Sequence, residues 1–326
     1  MDFGVNTSGL ELAKLVSIAQ TAEGVGFTTF YPGDHLVLAQ AGAHAPQEPV
    51  LDALTSVAAL FAATRTLRVG HLVLNNLFRH PMITAQALTT LDHIGGGRLI
   101  AGLGTGWTEQ DFTMSGIPFP DMKTRWEMLD EALTCIRSLW TNEKTNFDGK
   151  HYQLRDAVLW PKPIQKPYPP IIVGGGGRPI VRIAARHADI SNITWELGRA
   201  GKFDTSYLTE FDEARFKERI DYMAEQCEKN GRPRDAVAVS NLIGSCVVTD
   251  SEAATAKTVD GIGRALGFTP EQVRHCPMLL VGTPEACIKE LRGRVKTFGV
   301  SHFIVTTKSE KTVRTLGERV FPHVSS

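Results

Sequence analysis

Ile171-Ile172-Val173-Gly174-Gly175-Gly176-Gly177-Arg178-Pro179 is the stretch on which the reading of this chain turns. Three β-branched residues in a row predict a short strand buried on both faces, and the glycines after them let the backbone turn and approach a ligand. Pro179 can open a helix at its first turn, where a missing N–H costs nothing. Free amides at a helix N-terminus then form a seat for a phosphate. Two plainer readings stand beside this one. The glycines can be a simple flexible turn, or a dinucleotide fingerprint, although Gly174 to Gly177 do not space as G-x-G-x-x-G.

Outward from this point the chain alternates. Strands are expected at Phe3 to Asn6, Phe27 to Tyr31, Leu67 to Asn75, Leu99 to Leu103, the Ile171 run, Ala188 to Ile193, Val237 to Ile243 and His302 to Val305. Helices are expected between them. Ser8 with Glu11 reads as a capping box for a helix whose inner face is Leu12, Leu15, Val16, Ala19 and Ala22. Asp52 caps a second helix and Pro81 opens a third, which stops at Gly95-Gly96-Gly97. Trp126, Leu129, Leu133, Ile136 and Trp140 form the apolar stripe of another. The helix carrying Asp212, Glu213, Arg215, Lys217, Glu218 and Arg219 reads as solvated exterior.

Eight strands, each followed by a helix, imply a parallel (β/α)8 barrel, and about 250 residues plus insertions accounts for the length. The alternative is an open doubly wound sheet with the C-terminal third as a cap. Residues 141 to 170, with Asn146-Phe147-Asp148-Gly149-Lys150 and a proline-rich run, read as a hairpin and connector inserted into a single domain spanning residues 1 to 326. Pro270 to Met278 gives no readable pattern.

Lys plus Arg equals Asp plus Glu at 35 each, which gives no reason to expect nucleic acid or an anionic membrane as partner. The five cysteines are scattered without a C-x-x-C pair, which points to a reducing cytoplasm and away from disulfides or zinc. No signal peptide or membrane-spanning run is visible. The histidines show no H-E-x-x-H spacing, so no metal is expected.

A barrel places function where strands end. Asp34 and His35 follow the second strand, Asn75 and Asn76 the third, Thr105, Gly106 and Trp107 the fourth, Gly174 to Gly177 the fifth, and Asn192 the sixth. A histidine there can exchange a proton with a reacting centre, or merely bond a neighbour. Asp34 is an acceptor for a heterocycle or a turn former; Asn75 and Asn76 bond a ligand's amide-like edge or simply end a strand. Trp107 offers a flat wall for a ring system, or core. Glu109 and Asp111 read as residues that cap or solvate the start of the following loop.

Gly33-Asp34-His35, Arg79-His80-Pro81, Leu91-Asp92-His93-Ile94-Gly95-Gly96-Gly97-Arg98, Gly104-Thr105-Gly106-Trp107, Pro161-Lys162-Pro163-Ile164-Gln165 and Ile172-Val173-Gly174-Gly175 through Ala188-Asp189 together resemble the luciferase-like flavoenzyme family. Within it the chain is most similar to bacterial oxidoreductases that use the deazaflavin coenzyme F420, densely over residues 1 to about 193 and thinly after. The resemblance implies a barrel with the deazaflavin across its C-terminal mouth, usually as a homodimer. It implies that Asp34, Asn75, Thr105, Gly106 and Gln110 surround the ring and ribityl chain, and that Gly176, Gly177, Pro179 and Ile180 receive the phosphate. It also implies a non-proline cis peptide at Leu72-Val73, a bulge pressing on the ring.

His35 matches the proton donor of the family's sugar-phosphate dehydrogenases, but Trp107 stands where they carry a carboxylate. The expected activity is therefore hydride transfer between the deazaflavin and a small organic substrate with an activated double bond, imine or carbonyl. A monooxygenase using flavin mononucleotide (FMN), or a barrel that binds flavin without turnover, are the alternatives.

Overall fold

A computed structural model describes residues 1–38, 48–196 and 206–324. Strands β1 (Asp2–Thr7), β2 (Thr29–Pro32), β3 (Arg68–Gly70), β4 (Leu99–Gly104), β5 (Ile171–Gly174), β6 (Ile190–Ile193), β7 (Ala238–Ile243) and β8 (Val300–Thr306) are all parallel and pair in chain order. β8 returns to β1, with Phe3 opposite Phe303 and Val5 opposite Val305, so the sheet closes into the expected eight-stranded barrel and leaves no open edge. The open doubly wound alternative is excluded by that closure.

The period-two alternation of strand side chains divides the core in two. Ile172 points into the barrel, where it packs with Tyr31, Ile100 and Ile304, all fully buried. Its neighbours Ile171 and Val173 face outward into the layer between strands and helices. That is why the opening stretch is apolar at three consecutive positions: both faces of β5 are covered. Gly4 on β1 makes room for this inner layer, since a Cβ there would lie 2.4 Å from Thr29 Oγ1 and 3.2 Å from the Tyr31 ring.

The third strand departs from the expected unbroken run. After β3 the chain passes through a cis peptide at Leu72-Val73 before pairing resumes at Leu74–Asn75. Gly70 lies opposite Ile100 and Leu74 opposite Leu103, so four steps on this strand advance against three on β4, a bulge of one residue.

Three further expectations are corrected. Ser8 and Glu11 form no capping box; Gly9, at φ +71°, turns the chain, and Leu12–Gly24 starts with Glu11 as N-cap and no side-chain cap, which leaves Leu12 45% exposed. The helix Glu213–Lys229 is not all solvated exterior, because Phe216, Arg219, Met223, Gln226 and Cys227 are buried along one side. The unread segment after β7 contains a small parallel pair, Ser245–Val248 with Leu279–Gly282, bracketing helices Glu252–Leu266 and Pro270–His275. The second of those helices starts with a Thr269/Gln272 capping box.

Buried Arg294 ties this excursion to the barrel by donating to Asn241 Oδ1 and to the carbonyls of Pro277 and Leu279 at 2.7 to 2.9 Å. The insertion before β5 is a hairpin, Thr145–Asp148 with Gln153–Ala157. Its turn is held by the Glu131 carboxylate, which accepts from the amides of Lys150, His151 and Tyr152.

Candidate active site

Because every barrel strand runs the same way, the segments following β2, the third strand, β4, β5 and β6 all emerge at one end. The structure therefore brings His35 and the Gly174–Gly177 turn to the same face of the molecule. At the floor of that mouth lies the bulge: a Cβ on Gly104 would come within 2.4 Å of Val73 Cγ2, and one on Gly174 within 3.1 Å of Val73 Cγ1 and 3.9 Å of Leu72 Cδ1. Leu72, Val73, Gly104 and Gly174 thus meet, and the two glycines are what lets Val73 lean over β4 and β5.

Asp34 is 5% exposed and already engaged. It accepts from Arg79 Nη1 at 2.7 Å, from Arg79 Nη2 at 3.2 Å and from the Asn75 amide at 2.9 Å. It is thus more than a turn former: it locks β2 to the end of the third strand. The Asn75 side chain in turn accepts from the Leu77 amide and lies against Gly106, whose φ of +69° leaves only 2.5 Å between a Cβ and Asn75 Oδ1. Arg125, nine-tenths and more buried, donates to the Gly106 carbonyl at 2.7 Å and stacks 4.0 Å over Phe119. The Thr105–Trp107 loop is therefore fixed from both sides.

His35 is positioned by a residue that sequence reasoning assigned elsewhere. Asp111, expected to cap or solvate, is 1% exposed on the helix Glu109–Ser115, and its Oδ2 lies 3.0 Å from His35 Nδ1. Its Oδ1 accepts from the amides of Leu36 and Val37 at 2.9 and 3.0 Å. An ionised carboxylate only accepts, so Nδ1 carries the proton and Nε2 is left for chemistry. Trp107 meets the imidazole edge-on, with centroids 5.7 Å apart and planes at 81°, and so serves as a wall beside His35. Only the spacing Gly-Trp-x-x-x-Asp could have hinted at Asp111; its 76-residue separation from His35 is closed by the fold alone.

Gln110, by contrast, is exposed on the same helix. Asn192 is buried within the barrel and donates to Ser240 Oγ. Asn76 donates to the Tyr152 hydroxyl, linking the mouth to the inserted hairpin.

The three glycines after β5 do not all serve the same purpose. Gly175, at φ +141°, donates its amide to the Asn192 carbonyl and would clash with Ile180 if it carried a side chain. Gly176 lies so close to residue 194 that a Cβ would fall 1.6 Å from the Thr194 carbonyl oxygen. Both are glycine for packing. Gly177 differs: it is the N-cap of Arg178–His187, no side chain caps that end, and the nearest atom to a Cβ would be 3.7 Å away. Pro179 sits in the first turn and Ile180 is buried beneath it. This helix start is left uncapped by any side chain, with Pro179 and Glu196 in ordinary contact distance of where a Gly177 side chain would begin.

Below the mouth, burial pushes the His71 imidazole down to about 4 and raises the Tyr31 phenol well above its usual range. His302, which pairs with Thr29 Oγ1 at 2.9 Å, is likewise pushed down to about 4 by burial. These groups are neutral parts of the barrel interior, apart from His35 at the mouth. Among the described residues no cluster of His, Cys, Asp or Glu has the makings of a metal site, and no helix is long and apolar enough to cross a membrane. The segments expected to cover the mouth, 36 to 50 and 194 to 210, fall in large part outside the described residues.

The chain is a closed parallel (β/α)8 barrel that gathers an imidazole, an indole and a glycine turn at its C-terminal mouth. The family model for luciferase-like monooxygenase matches residues 2–276, and the chain belongs to that family. An F420-dependent glucose-6-phosphate dehydrogenase of Amycolatopsis mediterranei (strain U-32) is 34% identical over 177 residues, 54% of this chain and 51% of that one. The chain thus spans about half the length of the first curated relatives it matches. A protein of the same name from Nakamurella multipartita is 30% identical over 274 residues, covering 83% of this chain and 74% of that one. The coenzyme F420-dependent tetrahydromethanopterin reductase of Methanopyrus kandleri superposes with a TM-score of 0.74 at 19% identity, over 99% of both chains, and shares the fold.

Proposed function

We propose that this protein is a coenzyme F420-dependent oxidoreductase that transfers a hydride between the deazaflavin and a small organic substrate bearing an activated double bond, an imine or a carbonyl. The observation that carries the reading is the His35–Asp111 pair at the barrel mouth, in which Asp111 Oδ2 lies 3.0 Å from His35 Nδ1 and ties that nitrogen down. The names of the relatives, F420-dependent dehydrogenases, support the choice of coenzyme.

When bound, the deazaflavin supplies or accepts the hydride at its ring carbon. The protein supplies the rest. Val73 at the bulge supports one face of the ring, with Leu72, Gly104 and Gly174 around it, while Asp34, Asn75, Thr105, Gly106 and Gln110 border the ring and its ribityl chain. Gly176, Gly177, Pro179 and Ile180 would receive the phosphate, the N–H groups of Gly177 and Ile180 donating while Pro179, which has no N–H, shapes the turn. In the reductive direction the imidazolium form of His35 would give its Nε2 proton to the substrate atom that does not receive the hydride and return to the neutral Nδ1–H form, while the Asp111 carboxylate holds the ring and offsets its charge. Trp107 closes the side where a second carboxylate would be needed for sugar-phosphate oxidation, which favours reduction of an unsaturated or carbonyl substrate.

Mixing the protein with reduced F420 and a panel of enones and imines tests this. Oxidation of the coenzyme with substrate-dependent kinetics is expected; no binding at micromolar coenzyme rejects it. Oxygen uptake with reduced FMN instead would identify the monooxygenase alternative. We take the assembly to be a homodimer, which light scattering on the purified protein checks.

A further inference from the structure

Ser8 follows β1 without the capping role its spacing suggests, because Leu12–Gly24 starts at Glu11 with no side-chain cap. Its hydroxyl lies instead against Gly33, which follows β2. A Cβ placed on Gly33 would meet Ser8 Oγ at 2.6 Å and His35 Cδ2 at 3.6 Å, so the hydroxyl and the imidazole flank one point. Cδ2 is the ring carbon bonded to Nε2, while Nδ1, away from it, is held by Asp111. Ser8 therefore stands on the side of His35 that is left for chemistry.

A crevice opens there between the ends of β1 and β2, lined by Thr7, Ser8, Gly33 and His35 together with Leu10 and Leu51. Thr7 is 1% exposed, and its Oγ1 has no hydrogen-bond partner among the described residues. Buried hydroxyls are normally paired, so the fold leaves a bond in this crevice for something else. Among the described residues that line it, His35 alone can carry a charge. That suits a neutral substrate and gives a phosphate no partner.

We propose that Ser8 is a substrate-binding residue whose hydroxyl, with His35 Nε2, holds a single oxygen atom of a neutral carbonyl substrate. This role rests on the reading of His35 as the proton donor. A carbonyl oxygen has two lone pairs and accepts from both groups together, whereas an imine nitrogen has one, and that one must take the proton. As hydride reaches the carbonyl carbon, the π pair moves onto oxygen. His35 Nε2 delivers the proton that makes the O–H bond, and Ser8 keeps its own while its hydrogen bond strengthens with the developing negative charge. The products are an alcohol, a neutral imidazole and the oxidised coenzyme.

Steady-state kinetics of the unmodified protein and Ser8→Ala, with reduced F420 and cyclohexanone, cyclohexenone or pyrroline, test it. Ser8→Ala is expected to lower kcat on the two oxygen-terminated probes roughly 10- to 100-fold with KM little changed, since the lost bond is strongest in the transition state. The kcat ratio of ketone to imine falls with it. F420 affinity in fluorescence titrations and the melting temperature should be unchanged, because Ser8 touches substrate and its loss leaves the fold in place. Equal losses on ketone and imine, or none on either, overturn the role of Ser8 and leave the coenzyme reading intact. So does an unmodified protein that reduces pyrroline and neither oxygen-terminated probe. Reduced F420 left unoxidised by all three also overturns it, and an absence of F420 binding in the titration rejects the coenzyme reading as well.

Discussion

At the scale of single residues, the proposed chemistry rests on how His35 is held. Replacing His35 by Ala is expected to cost at least ~10²-fold in turnover with F420 while coenzyme binding persists, because only the proton donor is lost. Asp111→Asn tests the partner. The Asn side chain must present its NH2 either to Nδ1, forcing the wrong tautomer, or to the Leu36 and Val37 amides now bonded to Oδ1. A loss in kcat of roughly 10- to 100-fold, with KM little changed, is expected from steady-state kinetics. A variant as active as the parent would remove Asp111 from the mechanism.

Asp111 also shows what kind of residue eludes sequence reading. An acid at the start of a helix has a ready local explanation, and Thr108-Glu109-Gln110-Asp111 offers it. Nothing in the sequence says that this carboxylate will be 1% exposed, since its burial is created by residues 35 to 37 on another segment. His35, Asp34 and the glycines were legible for the opposite reason. Each follows an apolar run that is recognisably a strand, and in a barrel the position after a strand is already a spatial statement.

At the scale of elements, the third strand and the excursion after β7 carry the most weight. Val73 reaches over β4 and β5 only because Gly104 and Gly174 lack side chains. Gly104→Ala is therefore expected to displace Val73 and weaken coenzyme binding more than it lowers the melting temperature, a contrast that titration and calorimetry together resolve. Arg294 is a separate case. Its guanidinium is buried and serves Asn241 Oδ1 and two carbonyls, so Arg294→Met removes the donor to Asn241 Oδ1 and to the Leu279 carbonyl and leaves the Pro277 carbonyl with Asn241 Nδ2 alone. A loss of about 3 kcal/mol in chemical denaturation is expected, with no change in coenzyme affinity for the folded fraction.

These elements differ in legibility. The hairpin at Asn146–Lys150 announces its turn through Asp148-Gly149, and Pro81 and Pro284 announce helix starts. The Ser245–Val248 and Leu279–Gly282 pair does not announce itself, because each strand is four residues long and its partner lies beyond two helices. The same distance hides the role of Arg219: on a helix dense in charge it reads as solvent-facing, and its burial is decided by what packs over Phe216 and Met223.

For the whole molecule, the buried histidines set the response to acid. His71 and His302 are held neutral in the fold, both pushed down to about 4 by burial. In the unfolded chain an ordinary histidine takes up a proton below about 6.5. Between pH 6.5 and 4 the unfolded state therefore binds protons that the folded state does not, and stability falls as pH falls through that window. Each histidine contributes a loss on the order of 3 kcal/mol by the lower end. Urea titrations across the window should show the decline, and His71→Gln should reduce its slope by roughly half.

The sequence by itself determined the barrel, because alternation of short apolar runs with amphipathic helices admits few closed arrangements, and it determined which segments meet at the mouth, because parallel strands send their ends the same way. Only the tertiary structure decided what those segments do on arrival: that Asp111 orients His35, that Arg79 occupies Asp34, that Gly175 and Gly176 serve packing, and that Glu196, paired with Arg219, lies against Gly177. Period and turn chemistry are local properties of a chain. Burial and pairing of charge belong to residues brought together from far apart, and no local pattern records them.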